Sequence, residues 1–207
     1  MRRITTFIIA LCAAVAALAQ TPMEIVSRME EEMKKHGDEG EALVIDAKVP
    51  IMGTMTSKTY TRGDKMRVEM ELMGVAMVTW TDTKTQWTYN SKTDEVEIKP
   101  FSLESDSGSE GDISMFEGIT DGYEVIIKEE TADAWYLVCR KLKSNTDKDA
   151  PKTMDLVVSK AYHPVSLTAK VSGVTVTLRD LTYGVPESLV TFNPADYPTA
   201  KIIDKRK

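Results

Sequence analysis

Residues 65–81, KMRVEMELMGVAMVTWT, predict a β-hairpin. In the first half, apolar and charged residues alternate, which is typical of a strand with one apolar and one polar face. The apolar positions are Met66, Val68, Met70 and Leu72, and the charged positions between them are Arg67, Glu69 and Glu71. We expect the charged side to face solvent. Met73-Gly74 is placed to form a two-residue turn, which would put Val75 and Met77 on the apolar side of the returning strand.

Methionine is concentrated around this hairpin, since six of the chain's 12 methionines lie between residues 52 and 77. Sheet cores more often use valine, isoleucine and phenylalanine, whereas methionine is flexible and adapts to irregular partners. The apolar side of the hairpin therefore has two interpretations, which the sequence alone leaves open. It either packs in an ordinary core or forms the wall of a cavity for a ligand.

The first 19 residues have the pattern of a cleaved signal peptide. Arg2 and Arg3 precede an apolar segment, residues 4–18, and Ala17-Leu18-Ala19 is a small-residue cleavage site. A lipoprotein signal around Cys12 is the less favoured alternative. We expect export to the periplasm and a single domain spanning residues 20–207.

Charge and cysteine content exclude several classes of function. The formal net charge is −6, and loss of Arg2 and Arg3 makes it more negative, which disfavours nucleic-acid binding. Cleavage also removes Cys12, so Cys139 has no partner for an internal disulfide. Cys139 lies in a strand-like segment, which favours a buried structural thiol.

One helix and many strands are predicted after the signal peptide. Residues 21–36 should form a helix that Thr21 caps and Pro22 begins, with its apolar face on Ile25, Met29 and Met33. Short alternating segments then predict about six strands as far as residue 100 and about five more between residues 123 and 183. Residues 102–112 are rich in Gly, Ser and acids and predict a loop. The last residues, 186–207, are expected to lie across the sheet edge.

Catalytic and metal-binding motifs have little support in this sequence. His36 and His163 have no cysteine or carboxylate at the spacing of zinc ligands. Neither a G-x-S-x-G nucleophile motif nor the glycines of a phosphate-binding loop occur. We therefore expect no enzyme activity, no metal and no cofactor.

The order of these features resembles the outer-membrane lipoprotein carrier family, the LolA/LolB-like proteins. The similarity rests on the signal peptide, the single N-terminal helix, the mid-chain interruption and the closing segment at residues 181–204, LTYGVPESLVTFNPADYPTAKIID. Residues 64–67, DKMR, and residues 87–89, WTY, look like two strand motifs of that family. In the carriers a buried arginine on an early strand bonds to the lid. That role is not carried over, because Arg67 falls on the polar face and Arg62 at a turn.

The resemblance implies an α+β fold, an unclosed antiparallel β-barrel of about 11 strands covered by the N-terminal helix and a short mid-chain helical lid. It also implies a cavity for acyl chains of lipoproteins or other lipids, membrane-bound donor and acceptor proteins, and a monomer. We predict that the cavity is lined by Ile25, Met29, Met33, Leu43, Ile45, Met66, Val68, Met70, Leu72, Val75 and Met77, with Met29 and Met33 facing the hairpin from the helix. The predicted lid residues are Ile113, Met115, Phe116 and Ile119. The alternative function is an envelope-stress sensor or protein-interaction module with the same fold.

Overall fold

The computed structural model describes residues 20–101, 116 and 118–206. The predicted lid residues Ile113 and Met115 lie outside this part of the chain, as does the predicted signal peptide. Three α-helices are present in it: α1 (Pro22–Lys35), α2 (Ile119–Gly122) and α3 (Glu187–Val190). The strands are β1 (Glu41–Val49), β2 (Gly53–Arg62), β3 (Lys65–Leu72), β4 (Val75–Thr81), β5 (Thr85–Asn90), β6 (Glu95–Pro100), β7 (Tyr123–Glu130), β8 (Ala134–Lys141), β9 (Thr153–Ser159), β10 (Pro164–Val171), β11 (Val174–Tyr183) and β12 (Lys201–Asp204).

All twelve strands belong to one sheet, in the order β12-β6-β5-β4-β3-β2-β1-β11-β10-β9-β8-β7. The sheet is an unclosed barrel, which confirms the predicted fold class. The predicted hairpin is also confirmed, since Leu72 pairs with Val75 and Met70 with Met77. Both turn residues, Met73 and Gly74, have positive φ, as a type I′ turn requires. One strand differs from an all-antiparallel sheet: β12 pairs parallel with β6.

Helix α1 begins with a complete capping box. The Thr21 hydroxyl accepts from the Glu24 amide at 3.2 Å, and the Glu24 carboxylate accepts from the Thr21 amide at 2.9 Å. The helix is fixed to its surroundings by polar contacts as well as packing. Arg28 donates to the hydroxyl of Tyr162 at 2.8 Å, and the hydroxyl of Thr120 donates to Glu30 at 3.3 Å.

We call the sheet face on which α1 lies the inner face. Its buried side chains form one core with the apolar side of α1 and with Phe116 and Ile119. The strands that contribute to this core are β1 and β7 to β11. Cys139 belongs to it, and burial raises the pKa of its thiol to about 12. The prediction of a buried structural thiol is confirmed.

Cross-strand pairing extends the inner face to the other half of the sheet. Leu43 pairs with Thr59, Thr59 with Val68, and Val68 with Thr79. Paired residues project to the same side of a sheet. The apolar side of the hairpin is therefore part of the inner face, next to the core rather than within it.

The opposite, outer face of β2 to β5 is covered by the chain between β11 and β12. Helix α3 contacts β2 and β3 there. Phe192 and Tyr197 pack edge-on against Trp80, at ring-centroid distances of 5.4 and 5.6 Å. The last residues thus cross the outer face of the sheet before β12 pairs at its edge. The sequence predicted only the position at the edge.

The prediction that Arg67 faces solvent is wrong, because the segment between β11 and β12 covers this side chain. Arg67 is on the side opposite the methionines, as the alternation predicts, but most of its side chain is buried. Its guanidinium lies 5.1 Å from the centre of the Trp80 ring, donates to the carbonyl of Leu189 at 3.4 Å and pairs with Glu69 at 2.6 Å. The alternation indicates which face a residue lies on but not whether distant chain covers that face.

Gly40 closes the junction between the N-terminal segment and the end of β11. Its φ of 75° and ψ of 157° belong to a region that is essentially restricted to glycine. Its carbonyl accepts from the Gly184 amide at 3.0 Å. A Cβ at this position would lie 2.7 Å from the carbonyl oxygen of Thr61.

We expect Gly40→Ala to lower the free energy of unfolding by about 2 kcal/mol or more, because it adds backbone strain and a clash with fixed backbone. Gly37→Ala is the matched control, since a Cβ there meets nothing within 4 Å. Urea denaturation followed by circular dichroism measures both. Equal stabilities for the two variants would contradict this interpretation of the junction.

Candidate apolar binding surface

The helix is too short to cover the inner face. Helix α1 has 14 residues, which gives a length of about 21 Å, whereas twelve strands at a spacing of about 4.8 Å extend over about 53 Å. The helix contacts β7 and β9. Among the described residues, the core that it closes includes none from β2 to β6.

Beyond this core, β3 and β4 carry a row of partly exposed aliphatic side chains on the inner face. We call this row the apolar stripe: Met66, Val68, Met70, Leu72, Val75 and Met77. Met70 is 43% exposed and Leu72 is 40% exposed, although both belong to the regular strand β3. The other four are half-buried. Along β3 the stripe is about 20 Å long, because Met66 and Leu72 are six residue steps apart at about 3.3 Å each.

The stripe has a polar border on the side of β5 and β6. Thr79 and Thr88 are paired across the strands with their hydroxyls 3.4 Å apart. They line an open groove of about 450 Å³ that also contains Met77, Gln86 and Glu97. The inner face thus changes from closed core, across Ser57 and Thr59 of β2, to the aliphatic stripe and then to the polar groove.

The structure divides the predicted cavity residues into two groups on the same face. Ile25, Met29, Met33 and Leu43 are buried in the core, and Ile45 packs against it. Met66, Val68, Met70, Leu72, Val75 and Met77 form the stripe. The expectation that Met29 and Met33 face the hairpin is wrong. The helix packs instead on the half of the sheet where branched aliphatic residues give the larger buried surface, such as Leu137, Leu156 and Leu178.

The two described lid residues, Phe116 and Ile119, are both fully buried in the core beside α1. They therefore close the half of the inner face that the helix covers. Their proposed movement as part of a lid stays a prediction.

The two histidines have structural contacts. His36 stacks on Tyr183 with ring centroids 4.4 Å apart, and His163 Nε2 lies 2.9 Å from the carbonyl oxygen of Leu181. Within residues 20–101, 116 and 118–206, no group of three or more His, Cys, Asp or Glu side chains is placed to hold a metal ion. No helix in this same part of the chain is long and apolar enough to cross a membrane.

Known structures share this architecture. The lipoprotein LppX of Mycobacterium tuberculosis superimposes with a TM-score of 0.51 and 12% identity, over 80% of this chain and 98% of that one. The chain therefore has a LolA-like fold, and the resemblance drawn from the sequence is confirmed at the level of the fold.

Two further structures are similar to a lesser degree. A LolA superfamily protein from Nitrosomonas europaea matches 84% of this chain and 99% of its own, with 12% identity and a TM-score of 0.30. MucB from Pseudomonas aeruginosa, solved in complex with MucA, matches 81% of this chain and 61% of its own, with 11% identity and a TM-score of 0.43. No protein-family model matches the sequence, and no curated protein does.

Methionine oxidation distinguishes the core from the stripe. Under mild hydrogen peroxide we expect Met70 to be oxidised well before Met29, Met33 and Met154, which are almost completely buried, because oxidation of the thioether follows exposure. Peptide mass mapping at short times measures the order. Oxidation of Met29 as fast as Met70 in folded protein would contradict the division of the inner face.

Proposed function

We propose that this protein carries an acyl chain of a lipid or lipoprotein on the apolar stripe, without covalent chemistry. It would act in the periplasm after signal-peptide cleavage, as a carrier or chaperone in outer-membrane lipoprotein sorting. Membrane-bound donor and acceptor proteins would load and unload it. The observation that carries the proposal is the stripe itself, an aliphatic surface on β3 and β4 that α1 leaves open and that Ser57 and Thr59 of β2 separate from the core.

The composition of the stripe suits an aliphatic chain. Its three methionines, Met66, Met70 and Met77, have flexible, polarizable side chains that can follow a ligand of irregular shape. A bilayer hydrocarbon core about 30 Å thick holds two layers of chains, so a stripe of about 20 Å exceeds the depth of about 15 Å that one chain occupies in a leaflet. Burial of a chain contributes about 0.8 kcal/mol per methylene.

The support behind the stripe also favours this function. On the outer face, the C-terminal segment packs on Trp80 of the hairpin through Phe192, and Glu187 of that segment pairs with Lys65 at 2.5 Å. The hairpin backbone is therefore braced on one side while the aliphatic side chains remain free on the other. Such an arrangement can repack its side chains around a ligand without loss of the sheet.

The alternative, an interaction module that carries no lipid, predicts a protein that stays empty. A native mass spectrum of protein purified after export separates the two functions. A bound species with the mass of a lipid or acylated peptide supports carriage.

We expect Met70→Glu to weaken binding of a fluorescent fatty acid by about tenfold or more, because the chain would then contact a charged carboxylate in place of an aliphatic surface. The free energy of unfolding should change little, since Met70 is already half-exposed. Fluorescence titration and urea denaturation of the same preparations give both numbers.

Val165→Glu is the matched control. Val165 lies on β10 and is exposed to the same extent as Met70, 44% against 43%, but it is outside the stripe. Its affinity for the probe should equal that of the wild type. Acyl-chain binding on the stripe would be excluded if folded Met70→Glu kept the wild-type affinity for the probe. It would also be excluded if the wild-type protein did not bind the probe and was always empty.

A further inference from the structure

The end of the sheet at which β1 and β3 finish carries large apolar side chains on its turns. Ile51 and Met52 lie in the turn between β1 and β2, and Met73 lies in the turn between β3 and β4. Ile51 is fully exposed, Met73 is 93% exposed and Met52 is 65% exposed. Strand pairing places both turns at the same end, because β2 lies between β1 and β3.

The backbone at these positions makes the exposure unusual. Ile51 has φ of 74° and Met73 has φ of 53°. A positive φ is uncommon for any residue with a side chain and is a marked outlier for a β-branched one such as isoleucine. Asn or Gly would fit such turns with less strain. Folding alone therefore does not explain why both turns present apolar side chains to solvent.

Exposed lysines lie at the same end of the sheet, on the β1 side of these turns. Lys48 is the second-last residue of β1, and it is paired with Thr175 beside the turn between β10 and β11. Next to that turn is an open groove of about 460 Å³, which Lys148, Lys152 and Lys170 line together with a single carboxylate, Asp149. This concentration of positive charge contrasts with the net charge of −6 for the whole chain.

Apolar tips beside lysines fit a lipid surface better than a protein groove. The tips protrude from turns, so a flat, deformable partner can receive them. Membrane-surface binding depends on buried apolar area together with attraction of basic residues to anionic lipids. Glu71 next to the second turn is the nearest acidic residue on β3, and it lies outside the group of lysines.

We propose that this end of the sheet is a membrane-docking surface, at which Ile51, Met52 and Met73 insert into the interface of a bilayer containing anionic lipids. Lys148, Lys152 and Lys170 contact the headgroups beside them. The proposal rests on the turns and the lysines, so it holds whether or not the stripe binds an acyl chain.

The double variant Ile51→Asn/Met73→Asn provides a test that does not endanger folding. Asn tolerates positive φ, so the melting temperature should be equal to or higher than that of the wild type. Cosedimentation with vesicles of phosphatidylcholine and about one quarter phosphatidylglycerol measures docking. We expect the wild type to sediment with these vesicles and the variant to partition at least tenfold more weakly.

Two further variants complete the experiment. Lys152→Gln/Lys170→Gln should weaken binding to the anionic vesicles, and increasing salt should reproduce this loss. Val165→Asn, on an exposed site far from the turns in the fold, should bind as the wild type does. All proteins are compared with the same N-terminus, verified by mass spectrometry, because a retained apolar leader would itself bind vesicles.

A wild type that stays in the supernatant, or a double variant that sediments equally well, would overturn membrane docking. So would a wild-type dimer that ignores vesicles and that the double variant converts to monomer, since the tips would then contact a second copy. The fatty-acid titration on the stripe is independent of these outcomes. Failure of docking therefore does not imply failure of acyl-chain binding, or the reverse.

Discussion

The mismatch between one helix of 14 residues and a sheet of twelve strands determines the organisation of this protein. The inner face carries aliphatic side chains on β1 and β7 to β11, and again on β3 and β4 beyond Ser57 and Thr59 of β2. Helix α1 can close only part of this face. It packs where leucines from four successive strands, Leu137, Leu156, Leu167 and Leu178, form a continuous layer. The methionine hairpin lies on the same face beyond β2 and remains open, and the outer face behind it is covered by the C-terminal segment.

Much of the fold follows from local sequence signals. The capping box at Thr21 and Glu24, the turn at Met73-Gly74 and the alternation along β3 each involve residues close in sequence, and each was predictable. The face of Arg67 was predictable too. Its burial was not, because it depends on Leu189, which a segment more than a hundred residues further along the chain brings over Arg67 and its cross-strand partner Trp80. The part of the sheet on which α1 packs was also not predictable. Amphipathic periodicity indicates that a helix has an apolar side but not which part of a sheet that side contacts.

The site was predictable to the same extent. Sequence placed the hairpin methionines on one apolar face, and pairing through Thr59 shows that this face continues into the helix-covered core. The sequence could not distinguish Met29, which is buried in that core, from Met70, which is not. The exposure of Ile51 was outside the sequence argument altogether, because a positive φ at a β-branched residue contradicts the usual preference of the residue type.

The stripe and the proposed membrane-docking surface meet at the hairpin turn. Leu72 and Val75 are the last pair of the stripe, and Met73 lies between them in sequence. An acyl chain that leaves a bilayer at the turn would therefore reach the stripe without crossing a polar surface. The Thr79 and Thr88 hydroxyls on the far border limit the apolar path on the other side.

Nuclear magnetic resonance of isotope-labelled methionine methyl groups tests the division of the inner face most directly. On titration with a fatty acid, the account predicts that the methyl signals of Met66, Met70 and Met77 shift with a common affinity, while those of Met29, Met33 and Met154 stay in place. Shifts confined to the buried methionines would contradict it, because the ligand would then enter the core beneath α1 rather than bind the open stripe.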